Sequence, residues 1–215
     1  MGAAPSRRLI VNADDFGRDA AANEAIIEAH RRGILTCASL MVNEPAAAAA
    51  VELARRNPAL GVGLHLTLLC GHGALSPEEA PLLVDSAGRL SANPAKAGML
   101  YFFSRAAREE LKREIAAQFR KFKETGLPLD HVNGHLHIHL HPVVADILLE
   151  HAREWGVGAI RWSRDLFWLS WKLGRGPLFY RASHALIFNL LSLRVKRRFR
   201  KMGIRHTPRV FGLMQ

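Results

Sequence analysis

Two adjacent carboxylates, Asp14 and Asp15, follow the short apolar run Leu9-Ile10-Val11. In parallel α/β chains the ends of strands are where active sites gather. Neighbouring carboxylates crowd like charge and raise one pKa unless a cation compensates, so a metal on one and proton acceptance on the other is a natural division. The same pair reads alternatively as loop and helix-cap chemistry. His65, between Leu64 and Leu66, is either a core histidine or an inward-facing ligand. The segment from His131 to Pro142 holds five of the chain's eleven histidines: His131, His135, His137, His139 and His141. In extended backbone all five share one face at period two. One metal cannot take every one from a single strand, so some must be structural or support the ligands; a solvated His-rich loop is the other reading. One carboxylate and two imidazoles from separate strand ends leave room for water and substrate, as metal-assisted hydrolysis requires.

The elements that must position these residues alternate. Leu9 to Val11 reads as a strand, Asn23 to Arg32 as a helix closed by Gly33, and Ile34 to Val42 as a second buried strand. Pro45 opens an Ala-rich helix to about Arg56. Residues 61–68 read as a third strand, and residues 71–98, rich in Gly, Pro and Ala, as an irregular excursion. A long amphipathic helix follows over Arg105 to Glu124, then a strand from Asp130 running into the histidines, and a helix from Pro142 to about Trp155. Ala159 to Trp162 and Arg209 to Gly212 complete six strands. Strands alternating with helices imply parallel pairing, with both faces covered or the sheet closed into a barrel. A sixth strand at the last residues, with no helix after it, suggests a barrel missing its C-terminal strands; a genuine terminal edge strand is the alternative.

Composition is that of one globular α/β domain over 1–215, with 49% hydrophobic and 23% charged residues. Cys37 and Cys70 have no CxxC partner, which argues for reduced core thiols and against a disulfide framework or zinc ribbon. No secretory signal pattern opens the chain and no run of 18 uncharged apolar residues occurs, so a cytoplasmic protein without a spanning helix is expected. The net charge of +11 is concentrated late: residues 161–215 carry 13 Lys/Arg against the single Asp165.

Three separated motifs resemble the YdjC-type (ChbG-like) carbohydrate deacetylases. They are Leu9-Ile10-Val11-Asn12-Ala13-Asp14-Asp15-Phe16-Gly17, then Gly63-Leu64-His65, then His131-Val132-Asn133-Gly134-His135-Leu136-His137-Ile138-His139. Residues 127–142 and the Phe/Arg-rich stretch from Tyr101 look most like the hopanoid-biosynthesis-associated branch. The resemblance implies a distorted (β/α) TIM-like barrel that removes acetyl from an N-acetylated amino sugar, with an N-acetylglucosaminyl hopanoid lipid as the branch's substrate. It implies that Asp15, His65 and His135 hold one divalent ion, magnesium or zinc, and that Asp14 is the general base. Asn12, Asn43, His137 and His139 are candidates to support the ligands or touch substrate. Family members bear a later His-Pro motif whose histidine protonates the leaving amine; His184 and His206 lack that context here.

From Arg161 the positive charges are interleaved with aromatics such as Trp162, Trp168, Trp171 and Phe199. Over 161–201 this pattern suits peripheral contact with anionic lipid at the inner membrane face, where a glycolipid substrate would be met. A core helix with a solvated basic face competes with that reading. Nucleic acid is disfavoured, because no recognised binding motif accompanies the charge. A non-catalytic metal- or lipid-binding protein on the same scaffold, and a metal-dependent phosphoesterase, are the alternatives to the deacetylase.

Overall fold

A computed structural model describes residues 9–161, 198–207 and 210. Among the described residues six strands form one sheet in the order β1 (Asn12–Phe16), β2 (Cys37–Leu40), β3 (Gly61–Leu66), β4 (Val132–Gly134), β5 (Ala159–Ile160) and β6 (Arg205–His206). Every pairing is parallel. The strand order never reverses. Right-handed crossovers in such a sheet put the connecting helices on one face, leaving the other for side chains of the strands themselves.

Side chains divide accordingly. Ala13, Ala38, Leu40, Val62, Leu64, Leu66, Val132 and Ile160 join the apolar core beneath the helices. The alternate positions Asn12, Asp14, Ser39, His65, His131 and Asn133 are joined by hydrogen bonds on the opposite, inner face.

The helices begin and end where local chemistry dictates. Helix α1 (Ala20–Arg32) starts at Asp19, whose carboxylate accepts from the Ala22 amide at 2.7 Å, and ends at Gly33. Asn23 ties its first turn to the site strand: Oδ1 accepts from Gly17 N at 2.7 Å and Nδ2 donates to the Ala46 carbonyl at 3.0 Å. Helix α2 (Ala47–Arg55) lies two residues beyond Pro45. Ser104 ends α3 (Pro94–Phe103) and caps α4 (Arg105–Glu124), so two helices meet where the sequence suggested one helix after an irregular stretch. Helix α5 (Pro142–His151) opens at its proline and stops short of Trp155.

The buried polar face of α4 holds the excursion after β3. Gln118 brackets Thr67, accepting from its N–H at 3.0 Å and donating to its carbonyl at 2.7 Å. Glu114 accepts from the amides of Ala74 and Leu75 at 2.7 and 2.9 Å, and Glu110 from that of Leu82 at 2.9 Å. These bonds give order to a segment with little strand or helix of its own.

Several expectations are corrected. Pairing begins at Asn12, and Leu9 and Ile10 are exposed, because apolar content alone does not locate the first ladder partner. Strand β2 is shorter than 34–42, with Ile34 exposed. Cys70 is an exposed free thiol rather than a core one, at a left-handed turn where its amide bonds the Ser91 carbonyl; Cys37 is buried and free. The strand expected over 209–212 lies outside the described residues save Val210, as does most of the basic aromatic tail.

Candidate metal centre

The paired aspartates sit inside β1, on a bulge. Between Ala13 and Phe16 the strand takes one residue more than β2 takes between Ala38 and Leu40. Asp15 absorbs the extra residue at φ 64°, a left-handed conformation unusual outside glycine. In a regular strand consecutive side chains point to opposite faces. The bulge instead turns both carboxylates toward the inner face and returns Phe16 to the core.

Asp15 Oδ1 lies 3.0 Å from His135 Nδ1 and 3.3 Å from His65 Nε2. One ligand atom from each of the three residues falls within 4.8 Å of the others. Strands β1 and β3 and the turn after β4 supply them. The other Asp15 oxygen is 2.8 Å from Arg18 Nη1. His65 is buried, and its Nδ1 is 2.6 Å from Asn133 Oδ1, so Nε2 is the nitrogen left for Asp15. With protons between them these contacts are hydrogen bonds; with the protons gone, two imidazole lone pairs and one carboxylate oxygen are a donor set that divalent ions accept. Hydrogen bonds from His135 and His65 hold the Asp15 carboxyl well below the usual range, against the effect of burial.

Asp14 is gripped separately. Arg161, at the end of β5, donates from Nη1 to Oδ2 at 2.6 Å and from Nη2 to Oδ1 at 2.5 Å. Asn12 and Asn133 donate to Oδ1 at 2.9 and 3.0 Å. Burial alone would raise this carboxyl; the Arg161 fork, the nearby imidazole of His65 and the Asn133 amide outweigh it and keep Asp14 ionised.

The histidine segment does not continue as a strand. After Gly134 it winds into a tight 3-10 turn over His135–Leu140, with Leu136 and His137 both left-handed at φ 48° and 60°. The period-two face is therefore lost, and each ring goes its own way. His131 bonds Asp130 and Ser39, His135 meets Asp15, His139 Nε2 meets the Arg161 carbonyl at 3.1 Å, and His141 Nε2 meets that of Gly98 at 3.1 Å. Burial, then the Arg161 charge, lowers His137 to about 4, and burial lowers His139 well below its ordinary value.

Asp14, Asp15, His65 and His135 are thus brought together, with Asn12 in contact and His139 behind Arg161. Asn43 is not joined to them; it donates to the His72 carbonyl at 3.2 Å. Sequence reasoning missed Arg161 and Ser39. An arginine at the end of a parallel strand was the available signal for the first; a buried serine offers none.

Cys37, Asp130 and His131 also lie close enough to suggest a cation site. They do not fit one. Both His131 nitrogens are taken, at 2.9 Å each, and burial raises the Cys37 thiol, which donates to Asn12 Oδ1 at 3.1 Å.

The family described as YdjC-like protein matches residues 8–215. The chain belongs to that family. A relative from Brevibacillus brevis, called a carbohydrate deacetylase, is 44% identical over 152 residues, 70% of this chain and 57% of its own. A chitooligosaccharide deacetylase of Proteus mirabilis is 36% identical over 68% of this chain and 55% of its own. The chain therefore spans little more than half the length of these curated relatives. A solved structure from Enterococcus faecalis V583, provisionally named a cellobiose-phosphate cleavage protein, superposes with a TM-score of 0.62 at 33% identity, covering 71% of this chain and 57% of that one.

Proposed function

We propose that this YdjC-like chain carries the metal centre of a carbohydrate N-deacetylase, with Asp15, His65 and His135 as ligands and Asp14 as the proton acceptor. The observation that carries the reading is the bulge that turns Asp14 and Asp15 to one face, giving one carboxylate to two imidazoles and the other to Arg161. Relatives called carbohydrate and chitooligosaccharide deacetylases support the reaction class.

A divalent ion held there, magnesium or zinc, would polarise the acetamide carbonyl and make a water more acidic. Asp14 is ionised and receives three hydrogen bonds on Oδ1 but one on Oδ2. Its Oδ2 keeps the lone pair that takes the water's proton. Arg161 and Asn133 fix the carboxylate plane, and with it the direction of this lone pair. As the C–N bond breaks, the proton taken by Asp14 passes to the leaving nitrogen, so that acetate and a free amine are released.

We infer further that residues 1–215 form one unit whose strands curl into a distorted (β/α) barrel, since a strand order that never reverses leaves an inner face as polar as this one for a site. The substrate is an N-acetylated amino sugar. Its attachment to a hopanoid lipid, met at the inner membrane face through 161–201, is the finer proposal and rests on the branch resemblance and the basic aromatic composition of that segment. Among the described residues no helix is long and apolar enough to cross a membrane.

The test is release of acetate from N-acetylglucosamine oligomers and N-acetylglucosaminyl lipid by the ion-loaded chain, with phosphate release from sugar phosphates run in parallel. Acetate release abolished in Asp14→Asn supports the reading. Phosphate without acetate would replace it with a phosphoesterase.

A further inference from the structure

A continuous run of hydrogen bonds crosses the inner face from the solvent edge to His65. Asp130 Oδ2 is 2.9 Å from His131 Nδ1, and His131 Nε2 is 2.9 Å from Ser39 Oγ. Ser39 Oγ is 2.8 Å from Asn133 Nδ2, and Asn133 Oδ1 is 2.6 Å from His65 Nδ1. Ser39, Asn133 and His65 are all buried, while Asp130 is exposed at the far end.

The direction of each link follows by elimination. Ionised Asp14 only accepts, so the amide atoms of Asn12 and Asn133 at 2.9 and 3.0 Å from its Oδ1 are nitrogens. Both nitrogens also reach Ser39 Oγ, at 3.1 and 2.8 Å, and occupy its two lone pairs. The Ser39 proton then goes to His131 Nε2 at 2.9 Å, a shorter approach than the 3.3 Å to Asn12 Oδ1. A neutral His131 accepting at Nε2 carries its own proton on Nδ1, where Asp130 takes it. Asn133, with its nitrogen committed, can offer only Oδ1 to His65, so His65 must donate from Nδ1. Its Nε2 is then the nitrogen turned to Asp15 Oδ1, 3.3 Å away, where a cation would be shared between them.

Strand β3 is cut to admit this run. A Cβ at Gly63 would stand 2.5 Å from the His131 ring, and one at Gly61 would stand 3.1 Å from the Asp130 carboxyl carbon. Glycine is required at Gly63 because the imidazole occupies the space a side chain would fill.

We propose that Asp130, His131, Ser39 and Asn133 form a positioning relay that fixes the tautomer of His65, presenting Nε2 unprotonated to the cation. The proposal rests on His65 being a cation ligand, as in the function proposed above. Asp130 and His131 act on His65 through their neighbours. Partners of this kind set the orientation and basicity of metal-bound imidazoles, and their loss typically weakens affinity about 10- to 100-fold.

The experiment uses the full chain, labelled with 15N-histidine and freed of metal, in which long-range proton–nitrogen correlations assign the protonated nitrogen of His65. Zinc affinity is measured on the same samples by competition with a chromophoric chelator. The parent is expected to show His65 protonated on Nδ1. Ser39→Ala leaves Asn133 held by Asp14 alone and is expected to admit a minor Nε2-protonated His65 population and about tenfold weaker zinc binding, with Ser39→Thr restoring both. Asp130→Asn, at the exposed end, tests the relay if Ser39→Ala fails to fold; it is expected to move the His131 signals and weaken zinc binding several-fold. A parent His65 protonated on Nε2, or zinc affinity unchanged in both variants, overturns the proposal. A parent that binds no zinc overturns it together with the metal reading, whereas a zinc-binding parent that releases no acetate contradicts only the deacetylase.

Discussion

Arg161 closes a two-pronged fork on Asp14 across 147 residues of sequence, with Nη1 2.6 Å from Oδ2 and Nη2 2.5 Å from Oδ1. The carboxylate nearest the ligand set is thereby kept charged, planar and aimed. A lysine keeps the charge but not the fork. Arg161→Lys is expected to lower kcat for acetate release by about 10- to 100-fold with KM little changed, because the geometry matters to the reacting state more than to substrate binding. Equal rises in KM with unaltered kcat would assign Arg161 to the substrate instead.

Asp15 holds φ 64° at the bulge, where any residue with a Cβ is strained. Asp15→Gly should therefore be more stable than Asp15→Ala by about 1 kcal/mol in urea unfolding, although both lose the ligand. Identical midpoints would mean that the backbone relaxes there.

Buried neutral histidines give a pH signature. His137 lies near 4 and His139 well below its ordinary value, chiefly through burial. A group whose folded pKa is lowered binds fewer protons folded than unfolded in the interval between the two values. Stability should consequently fall as pH drops from about 6.5 toward 4, in the metal-free chain. Replacing His139 by Gln should flatten that limb; an unchanged slope would show that other groups set it.

The excursion depends on α4. Glu114 is fully buried and serves the amides of Ala74 and Leu75 together. Glu114→Gln can accept well from only one of them, and a buried donor left unpaired costs about 1–3 kcal/mol. Faster amide exchange over 71–92 with β1 to β3 unaffected is the expected result, and uniform exchange across the chain would contradict a local tether.

Much of the scaffold was legible because its signals are local. The Arg105 to Glu124 helix follows from apolar spacing, and Pro142 opens α5 as a first-turn proline should. The site residues in the first strand and the histidine segment were legible as types, since carboxylates and imidazoles at strand ends have few cheap structural uses. Their geometry was not. The bulge is a relation between β1 and β2 and has no signature in β1 alone. The left-handed pair Leu136 and His137 breaks the period-two pattern that the spacing of histidines predicts. Arg161 is one basic residue at the end of a two-residue strand, and only the parallel ladder beside β4 brings it to Asp14.

The central claim is that Asp15, His65 and His135 hold one divalent ion. Its most direct test is the metal content of the purified chain after exchange into zinc and magnesium, compared with His65→Ala and His135→Ala. About one ion per chain in the parent, lost in both variants while their circular dichroism stays native, is the predicted result. A folded parent with no specific ion, or an ion retained by both variants, would contradict it.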